Sequence, residues 1–170
     1  MSTSQPAVNT DLAPPAQPCI DDHHTQTPKQ QADPEYPTIL IYADGSYQHR
    51  RDIAAIGFVL QTLSGNEIYR GSEPTDADTS MEAEAQAILR AIQVAREFDP
   101  RHVEVHTDCD PLQRKLVADK QPSKKLYQTV RSKISEFTHS EIQGIPRKDN
   151  RADDDLASTA LQREKDKVIA

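Results

Sequence analysis

Carboxylates stand at four places in this sequence where an apolar or neutral side chain would be the ordinary choice. Asp44 closes the near-continuous apolar run Thr38-Ile-Leu-Ile-Tyr-Ala, and Asp108 closes the short run His102-Val-Glu-Val-His-Thr. Aspartate is common where a chain turns, so neither position decides alone between a loop and a ligand. Glu84 is more telling. It shares a helical face with Ile88 and Ala91, the face that must meet a core. A carboxylate there needs a partner, a metal or a raised pKa, and no Lys or Arg precedes Arg90 in that helix. Glu82 falls on a flank turned more towards solvent. The fourth place is the helix opening Asn150-Arg-Ala-Asp-Asp-Asp-Leu-Ala. Asp153 lines up with Leu156, Ala157 and Ala160, and Asp154 with Ala157 and Leu161; periodicity does not choose between them. Asp155 has Ser158 and Thr159 on its side and is solvated. Acidic side chains brought together on one sheet edge repel each other, and divalent cations with oxygen ligands remove that repulsion. Two such ions about 4 Å apart clamp the attacking and leaving oxygens of an in-line phosphoryl displacement.

The elements that must position these residues follow from periodicity. Residues 38–45 and 53–60 are short apolar runs, each suited to a strand buried on both faces. Residues 65–71 form a third strand after the turn at Ser64-Gly65-Asn66, and 72–79, with Pro74, reads as a loop. The best helix spans 81–98 and stops at Asp99-Pro100. A strand at 102–107 follows, then helices at 110–118 and 123–136 split by Gln121-Pro122-Ser123, a strand at 137–145, and a last helix from about 150 to 165. Three strands on short connections make an antiparallel meander, and strands alternating with helices join in parallel. The fold class is α/β: one five-stranded mixed sheet with helices packed on both faces.

Composition narrows the rest. The chain has 170 residues, 35% hydrophobic and 28% charged, with a formal net charge of -7; its mean hydropathy is -0.75 and its pI about 5.3. A uniformly acidic surface is a poor non-specific binder of nucleic acid or anionic membrane, so any contact with a polyanion must come from a local patch. Residues 111–135 supply one: Arg114, Lys115, Lys120, Lys124, Lys125, Arg131 and Lys133 stand against the single Asp119. No apolar run is long enough to span a bilayer, and nothing reads as a signal peptide. Two cysteines, Cys19 and Cys109, are too few for a disulfide framework, which fits a reduced, cytoplasmic protein. Residues 1–37 hold 7 of the 12 prolines and no glycine. Lacking apolar periodicity, they read as a disordered tail, with Cys19, His23 and His24 inside it.

The motifs then resemble one family. Asp44-Gly45-Ser46, Thr79-Ser80-Met81-Glu82-Ala83-Glu84-Ala85, Thr107-Asp108-Cys109 and Asn150-Arg-Ala-Asp-Asp154-Asp-Leu-Ala157 occur in the order and on the elements found in type 1 ribonucleases H, the short archaeal and bacterial members above all. The similarity runs from Thr38 to about Leu161 and implies a ribonuclease H-like catalytic domain over 38–166, with 167–170 as the C-terminal end. It implies that Asp44, Glu84, Asp108 and Asp154 are the catalytic, metal-binding acids, and so favours Asp154 over Asp153. It further implies two Mg²⁺ or Mn²⁺ ions, the first held by Asp44 and Asp154 and the second by Asp44, Glu84 and Asp108. The activity implied is endonucleolytic hydrolysis of the RNA strand of an RNA/DNA hybrid, to 5′-phosphate and 3′-hydroxyl products, by a monomer. Double-stranded RNA is an additional candidate substrate.

Matching motif positions make Ser46, Ser80 and Asn150 candidate substrate contacts. Arg147 stands in for the loop histidine of many members, and Lys124 and Lys125 are candidate phosphate contacts in the basic segment. This chain departs from the family at Ser80 and Met81, where many members pair two asparagines, and at 47–52, where many have Gly-Asn-Pro-Gly. Cys109 reads as a small half-buried side chain. A binding module on the same fold remains the alternative, although its usual mark, a lost carboxylate, is missing. A 3′–5′ exonuclease would carry Asp-x-Glu on the first strand, where this chain has Asp44-Gly45-Ser46.

Overall fold

Ile39, Ile41 and Ala43 are fully buried on one face of the first strand, β1 (Thr38–Gln48), and that face seats the rest of the core. The computed structural model describes residues 34–169; Cys19, His23, His24 and the rest of residues 1–33 lie outside them. β1 pairs antiparallel with β2 (Ile53–Gln61), which pairs antiparallel with β3 (Glu67–Thr75). On its other side β1 runs parallel to β4 (His102–Thr107), and β4 parallel to β5 (His139–Gly144). The order is β3-β2-β1-β4-β5, a five-stranded mixed sheet.

The third strand is longer than predicted. It continues through Pro74 to Thr75, where the sequence reads as a loop. β3 is an edge strand, and an edge strand tolerates a proline because the missing N–H can lie on the outer side.

The helix α1 (Ser80–Arg96) opens one residue before the predicted start. Thr79 caps it, its hydroxyl oxygen accepting the Glu82 N–H at 3.2 Å. Ala85, Ile88, Ala91, Ile92 and Ala95 form its buried stripe and pack with Ile39, Ile41, Ile56 and Phe58. Each fully buried isoleucine contributes about 1.5–3 kcal/mol relative to exposure. The helices α2 (Asp110–Val117) and α3 (Lys125–Ile134) complete this core with Leu112, Leu116, Tyr127, Val130 and Ile134. Strand residues alternate faces, so Ala55 of β2 looks the other way. There it packs with Ala160 and Leu161 of α4 (Arg151–Ile169), and the Ser72 hydroxyl donates to the Leu156 carbonyl at 2.8 Å. Helices therefore cover both faces, and α4 runs past the predicted end near 165 to Ile169. Tyr36, just ahead of β1, packs edge-on against Phe98 at 5.7 Å. Among the described residues no helix is long and apolar enough to cross a membrane.

Candidate active site

β1 and β4 share a ladder only as far as the pair Tyr42 and His106. Beyond it β4 stops at Thr107, while β1 turns away with β2, opposite whose Gly57 it places Asp44. Asp44 therefore lies inside β1 and not at its end, as the sequence suggests; pairing with β2 carries the strand on to Gln48. Asp44 and Asp108 each come two residues after the last shared pair, where the strands part. Beneath them the Tyr42 and His106 rings stack at 4.6 Å. Burial holds the His106 imidazole below its ordinary range, against the opposing pull of Glu104. A crevice at the carboxyl ends of strands that diverge is where α/β sheets bind ligands.

The third carboxylate arrives on α1. A Cβ on Gly45 would lie 2.1 Å from the carbonyl carbon of Ala83 and 2.2 Å from the Glu84 nitrogen. Only a glycine lets the first turn of α1 sit this close to β1. The consequence is that carboxylate oxygens of Asp44, Glu84 and Asp108 lie within 4.8 Å of one another. Asp44 is 4% exposed and Glu84 7%. Burial first, then the charge and hydrogen bond of Asp44 and the charge of Asp108, push Glu84 up to about 10, against the pull of the Gly45 backbone N–H. One Glu84 oxygen, Oε2, is buried without a hydrogen-bond partner. Three clustered oxygen donors, anionic when ionised, with an orphaned oxygen among them, fit a hard divalent cation.

A cleft of about 450 Å³ opens over this cluster, and its walls include Ser46, Tyr47, Ser80, Met81, Cys109, Pro111 and Arg147. The structure thus brings Ser46, Ser80 and Arg147 beside Asp44, Glu84 and Asp108, as their positions in the sequence suggest. Arg147 reaches the cleft from a 3₁₀ turn, Arg147–Asp149, that follows β5. Cys109 is half-buried, and burial raises its thiol pKa.

Three candidates go elsewhere. Asn150 is 1% exposed and its Nδ2 donates to the Ala43 carbonyl at 3.3 Å, so it ties the start of α4 to β1 and is closed to substrate. Lys124 pairs with Glu82. Lys125 opens α3 on the exposed surface and does not line the cleft. Glu82 itself corrects its expected exposure: it is 7% exposed, because α3 covers the flank of α1 that a single-helix pattern leaves open. Asp153 and Asp154 have their backbone in the first turn of α4; their side chains lie outside the described residues. Sequence reasoning missed Tyr47 and Pro111 as walls of the cleft. No periodic signal marks Tyr47, since the apolar run ends before Asp44.

The basic segment is partly used up internally. Arg131 donates to the Lys120 carbonyl at 3.0 Å, and Lys133 pairs with Glu136 at 2.9 Å. Arg114, Lys115 and Lys120 instead line a groove of about 490 Å³ between α2 and α3, and Pro111 borders both this groove and the carboxylate cleft.

Residues 42–160 match the model of a family described as reverse transcriptase-like. The chain belongs to this family. The matched stretch spans Asp44, Glu84, Asp108 and Asp154. A reverse transcriptase-like chain with this sheet order has the ribonuclease H fold, and the solved structures agree. It superposes on ribonuclease H1 of the halophilic archaeon Halobacterium salinarum NRC-1 with a TM-score of 0.68 and 23% identity, covering 74% of this chain and 98% of that one. It superposes on LC11-RNase H1, solved in complex with an RNA/DNA hybrid, with a TM-score of 0.66 and 26% identity, covering 74% and 98%; that protein was isolated from compost by a metagenomic approach. A curated relative, ribonuclease HI of Halobacterium salinarum, is 27% identical over 127 residues, which is 72% of this chain and 64% of the relative.

Proposed function

We propose that this reverse transcriptase-like chain is a ribonuclease H: a divalent-cation-dependent endonuclease that hydrolyses the RNA strand of RNA/DNA hybrids. The observation that carries the proposal is the cluster of Asp44 from β1, Glu84 from α1 and Asp108 from the turn after β4, within 4.8 Å of one another and lining an open cleft. The similarity to LC11-RNase H1, solved with a hybrid, supports the substrate class. Asp44, Glu84 and Asp108 would hold Mg²⁺ or Mn²⁺, and Asp154, in the first turn of α4, is the fourth carboxylate proposed for a second ion. When bound, such cations lower the pKa of water and stabilise charge on a phosphoryl oxygen.

The chain's own groups supply the rest. Arg147 lines the cleft, and an arginine there suits a phosphate, because a guanidinium can bind one by two parallel N–H donors. The Ser46 and Ser80 hydroxyls line the same cleft. A hydroxyl donates and accepts, so it can read a 2′-hydroxyl, the group that separates RNA from DNA. The Tyr42 and His106 rings stack at 4.6 Å, each two residues before one of the two aspartates. Hydrolysis yields a 5′-phosphate and a 3′-hydroxyl in this reading.

The test is cleavage of end-labelled RNA/DNA hybrid, double-stranded RNA and single-stranded RNA, each with Mg²⁺, Mn²⁺ or EDTA, and with Asp44→Asn alongside. Internal cuts in the hybrid's RNA that need a divalent cation and vanish in the variant are expected. Tight hybrid binding with no cutting under either cation would replace the enzyme with a binding module. Faster cutting of double-stranded RNA would keep the chemistry and change the substrate.

A further inference from the structure

Lys124 is the residue immediately before α3, at the positive end of that helix. A cation there opposes the helix dipole, and no side chain caps this end. The position of Lys124 is therefore not explained by α3. It is explained by Glu82, whose buried carboxylate receives two donors: the Lys124 ammonium, and the Asp78 N–H at 3.0 Å. Glu82 lies in the first turn of α1 with Ser80 and Met81 of the cleft wall, and Glu84 of the cluster follows two residues on. This turn is pressed on one side by the backbone of Gly45 and held on another by Lys124. Lys124 is absent from the walls of both the carboxylate cleft and the α2–α3 groove.

We propose that Lys124, acting through Glu82, is a positioning residue for Glu84, holding the first turn of α1 at the depth where the three carboxylates can share a cation. The inference deepens the hydrolase reading above and rests on it for the cation site. It also makes a prediction opposite in sign to simple electrostatics. Removing a positive charge near three carboxylates strengthens cation binding if charge is all that matters. If Lys124 positions Glu84, removing it weakens cation binding. A direct phosphate contact differs again: its loss raises KM and reduces the salt dependence of hybrid binding.

The experiment uses the full chain as wild type, Lys124→Met, Lys124→Arg and Glu82→Gln. Mn²⁺ binding is measured by calorimetry without substrate, and hybrid cleavage is followed over a range of salt. Lys124→Met is expected to weaken Mn²⁺ binding about tenfold, the lower range for residues that orient metal ligands. It should lower kcat with KM and salt slope unchanged, and Lys124→Arg should restore both. Glu82→Gln should move Mn²⁺ affinity the same way and add little in the Lys124→Met background. Where Lys124→Met does not fold, Lys124→Gln carries the test, since it removes the same charge and keeps the expected change opposite in sign to simple electrostatics. Mn²⁺ affinity that is equal or tighter in Lys124→Met overturns the proposal. So does a raised KM with a salt slope shallower by about one. Wild type that binds Mn²⁺ yet cuts no hybrid sinks the hydrolase reading and leaves the calorimetric result on Lys124 intact.

Discussion

Glu84 is buried beside two other carboxylates, so the folded chain without a cation keeps a proton there that the unfolded chain releases. Its pKa rises from an ordinary 4.5 to about 10. Between those values the native state binds more protons than the unfolded state, so stability falls as pH rises. Thermal melts in EDTA at pH 5 and pH 8 should show this loss in wild type and a smaller one in Glu84→Gln, which has no such proton to lose. Equal losses in the two proteins would remove Glu84 as the cause. Added Mg²⁺ should offset the loss at pH 8 in wild type only, because the cation replaces the proton. In cleavage, Glu84→Gln should reduce kcat on the order of a hundredfold or more, as loss of a preorganised electrostatic group does. These three acids were legible in the sequence because each breaks an apolar pattern. The pairing of Glu82 with Lys124 was not legible. Its partners lie on different elements, and a helical pattern describes one helix without its neighbours.

At the scale of elements, the site depends on two close seams. The first is α1 on β1 at Gly45. Gly45→Ala drives a methyl group into backbone that cannot yield as a side chain would. Denaturant melts should show a loss of about 1–3 kcal/mol, with cleavage reduced beyond what the unfolded fraction explains. Unchanged cleavage would mean that α1 can shift without disturbing Glu84. The second seam is α4 on β1, where Asn150 donates to the carbonyl next to Asp44. Asn150→Ala should cost about 1–3 kcal/mol by removing the buried donor that ties the start of α4 to β1. Asn150→Asp should cost more, because it turns a second acceptor and a charge towards the same carbonyl. The sense of strand pairing was readable from connection lengths, since short links give meanders and helical links give parallel neighbours. The ends of β1 and β3 were not, because strand length is set by the partner: β2 carries β1 four residues past Asp44 and accepts Pro74 opposite Ala55.

At the scale of the molecule, the chain carries a net charge of -7 yet gathers Arg114, Lys115 and Lys120 in one groove bordering the carboxylate cleft at Pro111. An acidic body with one cationic groove orients a polyanion on approach and repels it elsewhere. Lys115→Gln with Lys120→Gln should weaken hybrid binding at low salt and flatten its salt slope by about two, with the cut positions unchanged. A slope that does not move would mean the groove is not on the path of the nucleic acid. The charge asymmetry was visible in the sequence; which cations remain available was not, because Lys124, Arg131 and Lys133 find partners only in the folded chain. The two rims of the sheet differ as well. β3 carries Pro74, and its ladder with β2 slips at Leu60 and Gln61, whereas β5 has neither interruption. A backbone rim is a template for another strand, and proline and irregular pairing spoil it. Among the described residues the two rims are therefore unequal as templates: a foreign strand meets an interrupted ladder at β3 and a continuous one at β5.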